Sequence, residues 1–321
     1  MRDEKLLKKF THQGEMLANR VVKRYRHLKK RFDRENIEIF RLYDWDIPEI
    51  RAAVDWYAGH IVIAEYTRKQ SVPEWLPMMG RAVAAAMDIP FENVHIKERR
   101  LGTQEGRRYE RLAHTNRKVI MSERDLKFYI NLDDYVDTGL FADHRNTRSM
   151  VRELSKNRDV LNLFCYTGAF TCYAAKGGAR KTVSVDRSES VMAWARENLA
   201  LNGLAEQNNI LIQTSVFGFL KQAKQKNLQF DLAVVDPPSF SKTRTTGEEF
   251  DIVLDHPRLL RAVAELMRKG ALIFFSTNHQ NFIPAMGHLG FADVREITAQ
   301  TLPEDYVNKR RQIHRCWKIQ L

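Results

Sequence analysis

The 321-residue sequence predicts an α/β fold: a doubly wound domain built on a mostly parallel sheet. From about residue 133 to the C-terminus, short apolar segments alternate with helical ones. Several of the apolar segments end in turns that carry Gly, Asp or Pro, as strands of a parallel sheet do when their carboxyl ends form a binding crevice. We therefore interpret 133–321 as a ligand-binding domain.

Two further regions are expected before this domain. Residues 3–34 are predicted to form one or two helices, because apolar residues recur at steps of three or four. This stripe consists of Leu17, Val21, Tyr25, Leu28 and Phe32. We assign a basic helical extension to 1–36 and a small α+β domain, an RNA-binding or substrate domain, to 37–132. Its expected helix covers 75–87, and its expected strands lie near 37–43, 60–66, 94–98 and 128–132.

The strands of the larger domain follow in order along the chain. They are expected near 160–164, 182–186, 209–213, 231–236, 271–276, 292–297 and 316–319. A helix over 188–202 is expected to end at Gly203, because glycine readily adopts the left-handed conformation that closes a helix.

The charge of the chain is strongly basic and unevenly distributed. There are 52 Lys and Arg residues against 40 Asp and Glu, a net charge of +12. Residues 1–34 carry +8 and residues 97–118 carry +5. Such clustering is expected for a polyphosphate partner, although a solvated basic surface is an equally good interpretation of charge alone.

Composition also limits the function classes. No apolar run reaches the roughly 18 residues of a membrane span, so no membrane partner is expected. The N-terminus lacks the apolar core of a secretory signal. Three cysteines without metal-type spacing fit a reducing cytoplasm. His256, His279 and His314 also lack metal spacing, so we expect structural or RNA-facing roles and no metal.

The turn after the first core strand, Phe164-Cys-Tyr-Thr-Gly-Ala-Phe-Thr171, contains one glycine. Dinucleotide-binding turns carry three, which let a pyrophosphate approach a helix. A cofactor without phosphates, such as S-adenosylmethionine, needs one close backbone approach, which Gly168 supplies. An ordinary tight turn is the alternative. We assign Phe164, Tyr166, Thr167 and Gly168 to cofactor binding.

Asp186 ends the second core strand, where a carboxylate is placed to accept hydrogen bonds from a ribose diol. The alternative is a helix N-cap, because Asp is common before a segment such as Ser-Glu-Ser. We expect the ribose role and include the adjacent Arg187 in the same site.

The segment Asp236-Pro-Pro-Ser-Phe240 is the most specific motif in the sequence. Consecutive prolines remove two N–H donors and stiffen the turn. The carboxylate of Asp236 and the carbonyl of Pro237 can then accept hydrogen bonds from a base edge, and Phe240 offers a face for stacking. Asp236 also adjoins the expected cofactor. A proline-rich loop with Phe240 in the core is the alternative.

The segment Thr138-Gly-Leu-Phe-Ala-Asp-His-Arg145 precedes the first core strand. We expect Arg145 to pair with the methionine carboxylate of the cofactor and Phe141 to cover it. A helix cap with surface charges is the alternative.

These motifs, with Arg41-Leu-Tyr-Asp-Trp-Asp46, Leu161-Asn-Leu-Phe-Cys-Tyr-Thr-Gly168 and Arg311-Gln-Ile-His-Arg-Cys-Trp317, resemble one known family. It is the RlmK half of the bifunctional bacterial 23S rRNA methyltransferases, and the likeness runs from about residue 37 to the end. The resemblance implies a Rossmann-like class I S-adenosylmethionine-dependent fold and a stand-alone enzyme that methylates guanine N7. Its implied partner is 23S rRNA, in a protein-poor or assembling large subunit, with no indication of the oligomeric state.

Two departures and two rival functions qualify this expectation. The family has an acidic residue that meets the adenine amino group, and the matching position here is Ser215. A related 5-methylcytosine enzyme has a Cys where this chain has Thr277, which argues against cytosine C5 chemistry. The first rival is methylation of an exocyclic amine, guanine N2 or adenine N6. The second is a non-catalytic ribosome-assembly RNA binder, for which Ser215 is the only hint.

Overall fold

The computed structural model describes residues 2–67, 71–100, 111–204, 207–242, 249–308 and 311–321. Much of the basic segment 97–118, namely 101–110, therefore lies outside the described residues. The chain divides into two compact units. The first contains Met1–Asp125 and Ile130–Thr138, and the second contains Leu126–Tyr129 and Gly139–Leu321.

The first unit packs helices on a four-stranded sheet of order β1-β2-β3-β4, in which only β3 and β4 are parallel. Its elements are α1 (Arg2–Arg34), β1 (Ile39–Asp44), β2 (Ala52–Tyr57), β3 (His60–Thr67), α2 (Trp75–Met87), β4 (Val94–Arg100) and β5 (Val119–Glu123). The expected helix over 75–87 is confirmed, and 3–34 forms one helix. Strands β2 and β5 were not expected.

Helix α1 is held by the apolar stripe that the sequence predicts. Leu17, Val21, Leu28 and Phe32 are at most 2% exposed and share a core with α2 and the sheet. The ring of Phe32 meets that of Phe40 edge-on, with centroids 5.0 Å apart. Among the basic side chains between these residues, Lys23, Arg26 and Lys30 are exposed on the outer side of the helix.

The second unit is a seven-stranded mixed sheet with helices, and it confirms the predicted α/β fold class. The sheet order is β14-β15-β13-β10-β7-β8-β9. The second unit also contains all of β6 (Leu126–Ile130) except its last residue, which belongs to the first unit. The remaining elements of the second unit are α3 (Arg145–Leu154), β7 (Asp159–Leu163), α4 (Ala169–Lys176), β8 (Lys181–Asp186), α5 (Glu189–Leu201), β9 (Asn209–Gln213), α6 (Val216–Gln225), β10 (Phe230–Val235), β11 (Phe240–Lys242), β12 (Glu249–Asp251), α7 (Ile252–Ala264), β13 (Met267–Thr277), β14 (Asp293–Glu296), α8 (Thr298–Thr301) and β15 (Arg315–Gln320).

The topology of this sheet fixes where a ligand can bind. Strands β9, β8, β7, β10 and β13 are parallel, and β15 and β14 complete the sheet in antiparallel pairing. From β7 the chain proceeds to β8 and β9 on one side and later to β10 and β13 on the other. The carboxyl ends of β7 and β10 therefore flank the switch point, where α/β sheets form their binding crevice.

The predicted core strands are all present, although β13 begins at Met267 rather than near 271. Helix α5 ends as expected, with Gly203 in the left-handed conformation just past it. No helix among the described residues has the length and apolarity needed to cross a bilayer.

Candidate active site

The loop after β7 has an unusual backbone at the carboxyl edge of the sheet. Phe164, Tyr166 and Gly168 all adopt the left-handed conformation, with φ of 55°, 49° and 76°. Two of these residues are aromatic, and such conformations are costly for side chains of that size. Strain of this kind collects at ligand sites, which fits the predicted cofactor loop.

Gly168 also has a packing role that the sequence did not reveal. It caps the start of α4, and a Cβ atom there would lie 3.1 Å from the Cβ of Ala195 in α5. The glycine thus permits both the turn and the close approach of α5.

Asp186 connects the loops after β7 and β8. Its Oδ2 accepts a hydrogen bond from the N–H of Tyr166 at 3.2 Å, and its Oδ1 accepts one from the N–H of Ser188 at 3.1 Å. The residue is 6% exposed. Burial raises the pKa of Asp186, and the backbone N–H groups of Ser188, Tyr166 and Arg187 oppose this shift. The helix N-cap is Ser188 rather than Asp186, because the Ser188 hydroxyl accepts from the N–H of Val191.

Phe141 lies beside this loop. Its ring is 5.0 Å from that of Tyr166, and its carbonyl accepts a hydrogen bond from Arg148 at 2.8 Å. The hydroxyl of Thr167 is buried and donates to the carbonyl of Gly139 at 2.6 Å. Thr167 therefore joins the loop after β7 to the segment around Gly139. The rings of Phe141 and Tyr166 remain as candidates for contact with a ligand.

The structure argues against the predicted contact of Arg145 with the cofactor. Arg145 is 2% exposed, and its Nη2 lies 2.5 Å from Oδ1 of the buried Asp305. A guanidinium that is buried and already paired with one carboxylate is poorly placed to bind the carboxylate of a cofactor as well. We therefore remove Arg145 from the proposed cofactor site.

Ser215 likewise has a local explanation. It is the N-cap of α6, and its hydroxyl accepts a hydrogen bond from the N–H of Gly218 at 3.2 Å. Serine is a preferred capping residue, so its presence here follows from helix formation.

Arg187, also predicted to belong to the cofactor site, is exposed beside Asp186.

The Asp236–Phe240 turn follows β10 and is tied to the end of β13. The Ser276 hydroxyl donates to Oδ1 of Asp236 at 2.5 Å, and the Ser239 hydroxyl donates to Oδ1 of Asn278 at 2.5 Å. Pro237 is buried. The Asp236 side chain is 28% exposed and Phe240 is 37% exposed, so a carboxylate and an aromatic ring remain accessible on a fixed turn. The alternative with Phe240 in the core is wrong.

Sequence reasoning missed a polar cluster beside this turn. Asp143, His144 and His314 bring their donor atoms within 4.8 Å of one another, as a metal site also requires. The two imidazole rings are stacked, however, with planes 9° apart and centroids 4.2 Å apart. One ion cannot lie in two nearly parallel ring planes, so we interpret the cluster as a hydrogen-bonding network. The neighbouring Asp-His-Arg sequence was the available signal.

Together, the fold and this site define an S-adenosylmethionine-dependent methyltransferase. A one-glycine loop after β7, an acidic residue ending β8 and an Asp-Pro-Pro turn after β10 lie at the carboxyl ends of three neighbouring strands, next to the switch point of the sheet. The donor set fits the cofactor, because the two oxygens of Asp186 keep acceptor capacity beyond the backbone N–H groups of Tyr166, Arg187 and Ser188, and aromatic rings flank the strained loop.

Comparison with known proteins supports this class. A family model for the S-adenosylmethionine-dependent methyltransferases matches residues 44–307, and the chain belongs to that family. It is 38% identical over 309 residues to the ribosomal RNA large subunit methyltransferase K of Neisseria meningitidis serogroup B, covering 94% of this chain and 86% of the relative.

Solved structures share the fold. One is SMU.776, assigned as a methyltransferase and crystallised with SAH, with a TM-score of 0.76, 23% identity, and coverage of 96% of this chain and 82% of that one. Another is a SAM-dependent methyltransferase from Agrobacterium tumefaciens, with a TM-score of 0.61, 17% identity, and coverage of 88% and 90%.

Proposed function

We propose that this enzyme transfers a methyl group from S-adenosylmethionine to the N7 atom of a guanine in 23S ribosomal RNA. The observation that carries the proposal is the Asp236–Phe240 turn, which presents an accessible carboxylate and an accessible ring beside the cofactor loops. The name of the Neisseria relative supports a large-subunit rRNA substrate. A cytoplasmic location follows from that substrate.

The cofactor supplies an electrophilic methyl group when it is bound. The carboxylate of Asp186 would hold its ribose hydroxyls, and the backbone of 164–168 would lie along it, with the rings of Phe141 and Tyr166 covering it. These assignments rest on the strained loop and on the position of Asp186 at the carboxyl edge of the sheet.

Asp236 and Phe240 would act on the base. Guanine N7 has a free lone pair, so no proton must be removed before methyl transfer. The base becomes cationic as the new bond forms, and the carboxylate of Asp236 and the carbonyl of Pro237 would offset that charge and accept from the N1–H or N2–H. Phe240 would hold the ring by stacking.

The burial of the three cysteines favours methylation of a base nitrogen over methylation of a pyrimidine carbon. Burial raises the pKa of Cys165 well above its usual range and raises that of Cys172 to about 12. Burial also raises the pKa of Cys316. Attack on a pyrimidine ring needs a thiolate, which these three residues do not readily provide.

The first unit would supply RNA affinity. On α1, Lys23, Arg26 and Lys30 are exposed on the side opposite the buried stripe. Cations along one helix face neutralise phosphates and release counterions. This role is proposed for the extension 1–36 and for the small domain 37–132.

Methylation of an exocyclic amine stays as the second candidate, because an accessible carboxylate such as Asp236 can also take a proton from an amine. The hint of a non-catalytic binder is weaker, because Ser215 is explained as a helix cap.

Mass-spectrometric mapping of 23S rRNA from a deletion strain tests the proposal. One guanine should lack a methyl group at N7, and a plasmid copy of the gene should restore it. Loss of a methyl group from an exocyclic amine would favour the second candidate, and unchanged rRNA would refute both.

A further inference from the structure

A stacked pair of buried histidines, His144 and His314, lies beside Asp236 at the start of the Asp236–Phe240 turn. His144 ends the short helical turn Ala142–His144 before α3, and His314 precedes β15. Their rings are parallel within 9°, with centroids 4.2 Å apart. His144 is 5% exposed and His314 is 2% exposed. The pair therefore belongs to the interior rather than to an RNA-facing surface.

One nitrogen of His144 faces two carboxylates. Its Nε2 lies 3.6 Å from Oδ2 of Asp236 and 3.8 Å from Oδ2 of Asp143. Its Nδ1 is buried and has no hydrogen-bond partner among the described residues. A buried polar atom left without a partner is uncommon and calls for a functional or structural reason.

The surroundings determine which nitrogen of His144 carries the proton. Burial lowers the pKa of His144, and His314 and Arg148 act in the same direction, whereas Asp236 and Asp143 oppose it. The ring is therefore neutral near pH 7, with a single N–H. A bare lone pair facing two carboxylates would be repelled, so the proton belongs on Nε2, and Nδ1 is left bare.

Asp143 and His314 hold the His144 ring in place. Nδ1 of His314 lies 2.9 Å from Oδ2 of Asp143, and its Nε2 lies 3.1 Å from the hydroxyl of Thr301. Both nitrogens of His314 are thus engaged, which fixes its plane. The stacking then fixes the plane of His144, and the edge of Phe170, with a centroid 5.7 Å away, packs against the ring as well.

We propose that His144 is a positioning residue for methyl transfer, whose Nε2–H holds Oδ2 of Asp236 while the Ser276 hydroxyl holds Oδ1. The carboxylate then keeps one orientation and presents its exposed edge to the base. The separation of 3.6 Å is longer than a hydrogen bond. Catalytic hydrogen bonds are often long before substrate binds and tighten in the catalytic complex, and we expect the same of this contact. This inference rests on the proposed function, in which Asp236 faces the reacting base.

Two isosteric substitutions separate the N–H from the bulk of the side chain. His144→Gln can place an amide N–H near the position of Nε2, whereas His144→Asn places its amide near Nδ1. At saturating cofactor and RNA, single-turnover methylation by the Asn variant should be slower than by the Gln variant by about tenfold or more, as expected for a hydrogen bond to a charged group. Both variants should bind S-adenosylmethionine with wild-type affinity, because Asp186 is untouched. Equal rates in the two variants would overturn the inference.

The tautomer offers a measurement on the unaltered protein. Nitrogen-15 NMR of the full-length chain, with the His144 signals assigned from the variants, should show a protonated Nε2 and a bare Nδ1. The opposite tautomer would overturn the inference even if the Asn variant does not fold.

Asp236→Asn distinguishes failure of this inference from failure of the proposed function. A wild-type rate of methylation in that variant would mean that the turn has only a structural role, and it would refute both the proposed function of Asp236 and the positioning role of His144. A slow Asp236→Asn enzyme alongside two His144 variants of equal rate would overturn the positioning role alone.

Discussion

Asp186→Ala should weaken cofactor binding while the fold survives. Two opposing effects act on stability. The substitution leaves the N–H groups of Tyr166 and Ser188 without their carboxylate acceptor, but it also removes a carboxylate whose burial is unfavourable enough to raise its pKa. The net change in the free energy of unfolding should therefore be small compared with the loss of binding.

The loss of binding follows from the ribose contacts. Hydrogen bonds to a charged group contribute about 1.5–3 kcal/mol. At about 1.4 kcal/mol for each tenfold, the dissociation constant for S-adenosylmethionine should rise roughly 10- to 150-fold. Isothermal titration calorimetry with S-adenosylmethionine and with SAH measures this directly.

Asp159→Ala is the matched control. Asp159 begins β7 at the opposite edge of the sheet, where it pairs with Arg180 and Arg268. The same chemical change there should leave cofactor affinity unaltered. A wild-type dissociation constant in folded Asp186→Ala protein would refute the ribose assignment.

Three further predictions concern stability and RNA binding. Gly139→Ala should lower the free energy of unfolding by about 2 kcal/mol or more, because φ is 107° and a Cβ would lie 2.3 Å from Trp194, and an unchanged urea midpoint would contradict this. Replacing Lys23, Arg26 and Lys30 with Glu should reduce the slope of log affinity for RNA against log salt by about 2, so an unaltered slope would remove α1 from the RNA interface. Burial lowers the pKa of His256 from its usual 6.5, so protons bind the unfolded state more tightly and stability is lost as pH falls below about 6.5. The decline measured between about pH 7.5 and 5.5 should be shallower in His256→Gln, and an equal decline would show that other groups cause it.

Local sequence patterns were enough to predict the sheet and the motifs on it. Strands β7, β8 and β10 are short runs rich in apolar or β-branched residues, and each is followed by a turn, so the strand ends, and with them Asp186 and Asp236, could be located. Strand β2 was missed because all six of its residues are buried, including Asp55, and no alternation marks it. The burial of Asp55 depends on Arg41 in the neighbouring strand, which lies 2.8 Å away.

Long-range pairing explains the remaining differences at the site. Arg145 was expected to contact the cofactor. Its actual partner, Asp305, lies 160 residues further along the chain, and nothing in the sequence pairs the two residues. The stack of His144 on His314 likewise joins segments that only the folded sheet brings together. Local motifs reveal which residues can do chemistry, whereas tertiary contacts decide which of them are already engaged.

Methylation of an RNA in which the target guanine is replaced by 7-deazaguanine tests the central claim most directly. The analogue keeps the N1–H, the N2 amine and the ring face, but it has a C–H group in place of N7. Transfer of labelled methyl groups to a 23S rRNA fragment should occur with guanine and be abolished with the analogue, while both RNAs bind equally well. Methylation of the analogue at the wild-type rate would contradict N7 as the acceptor.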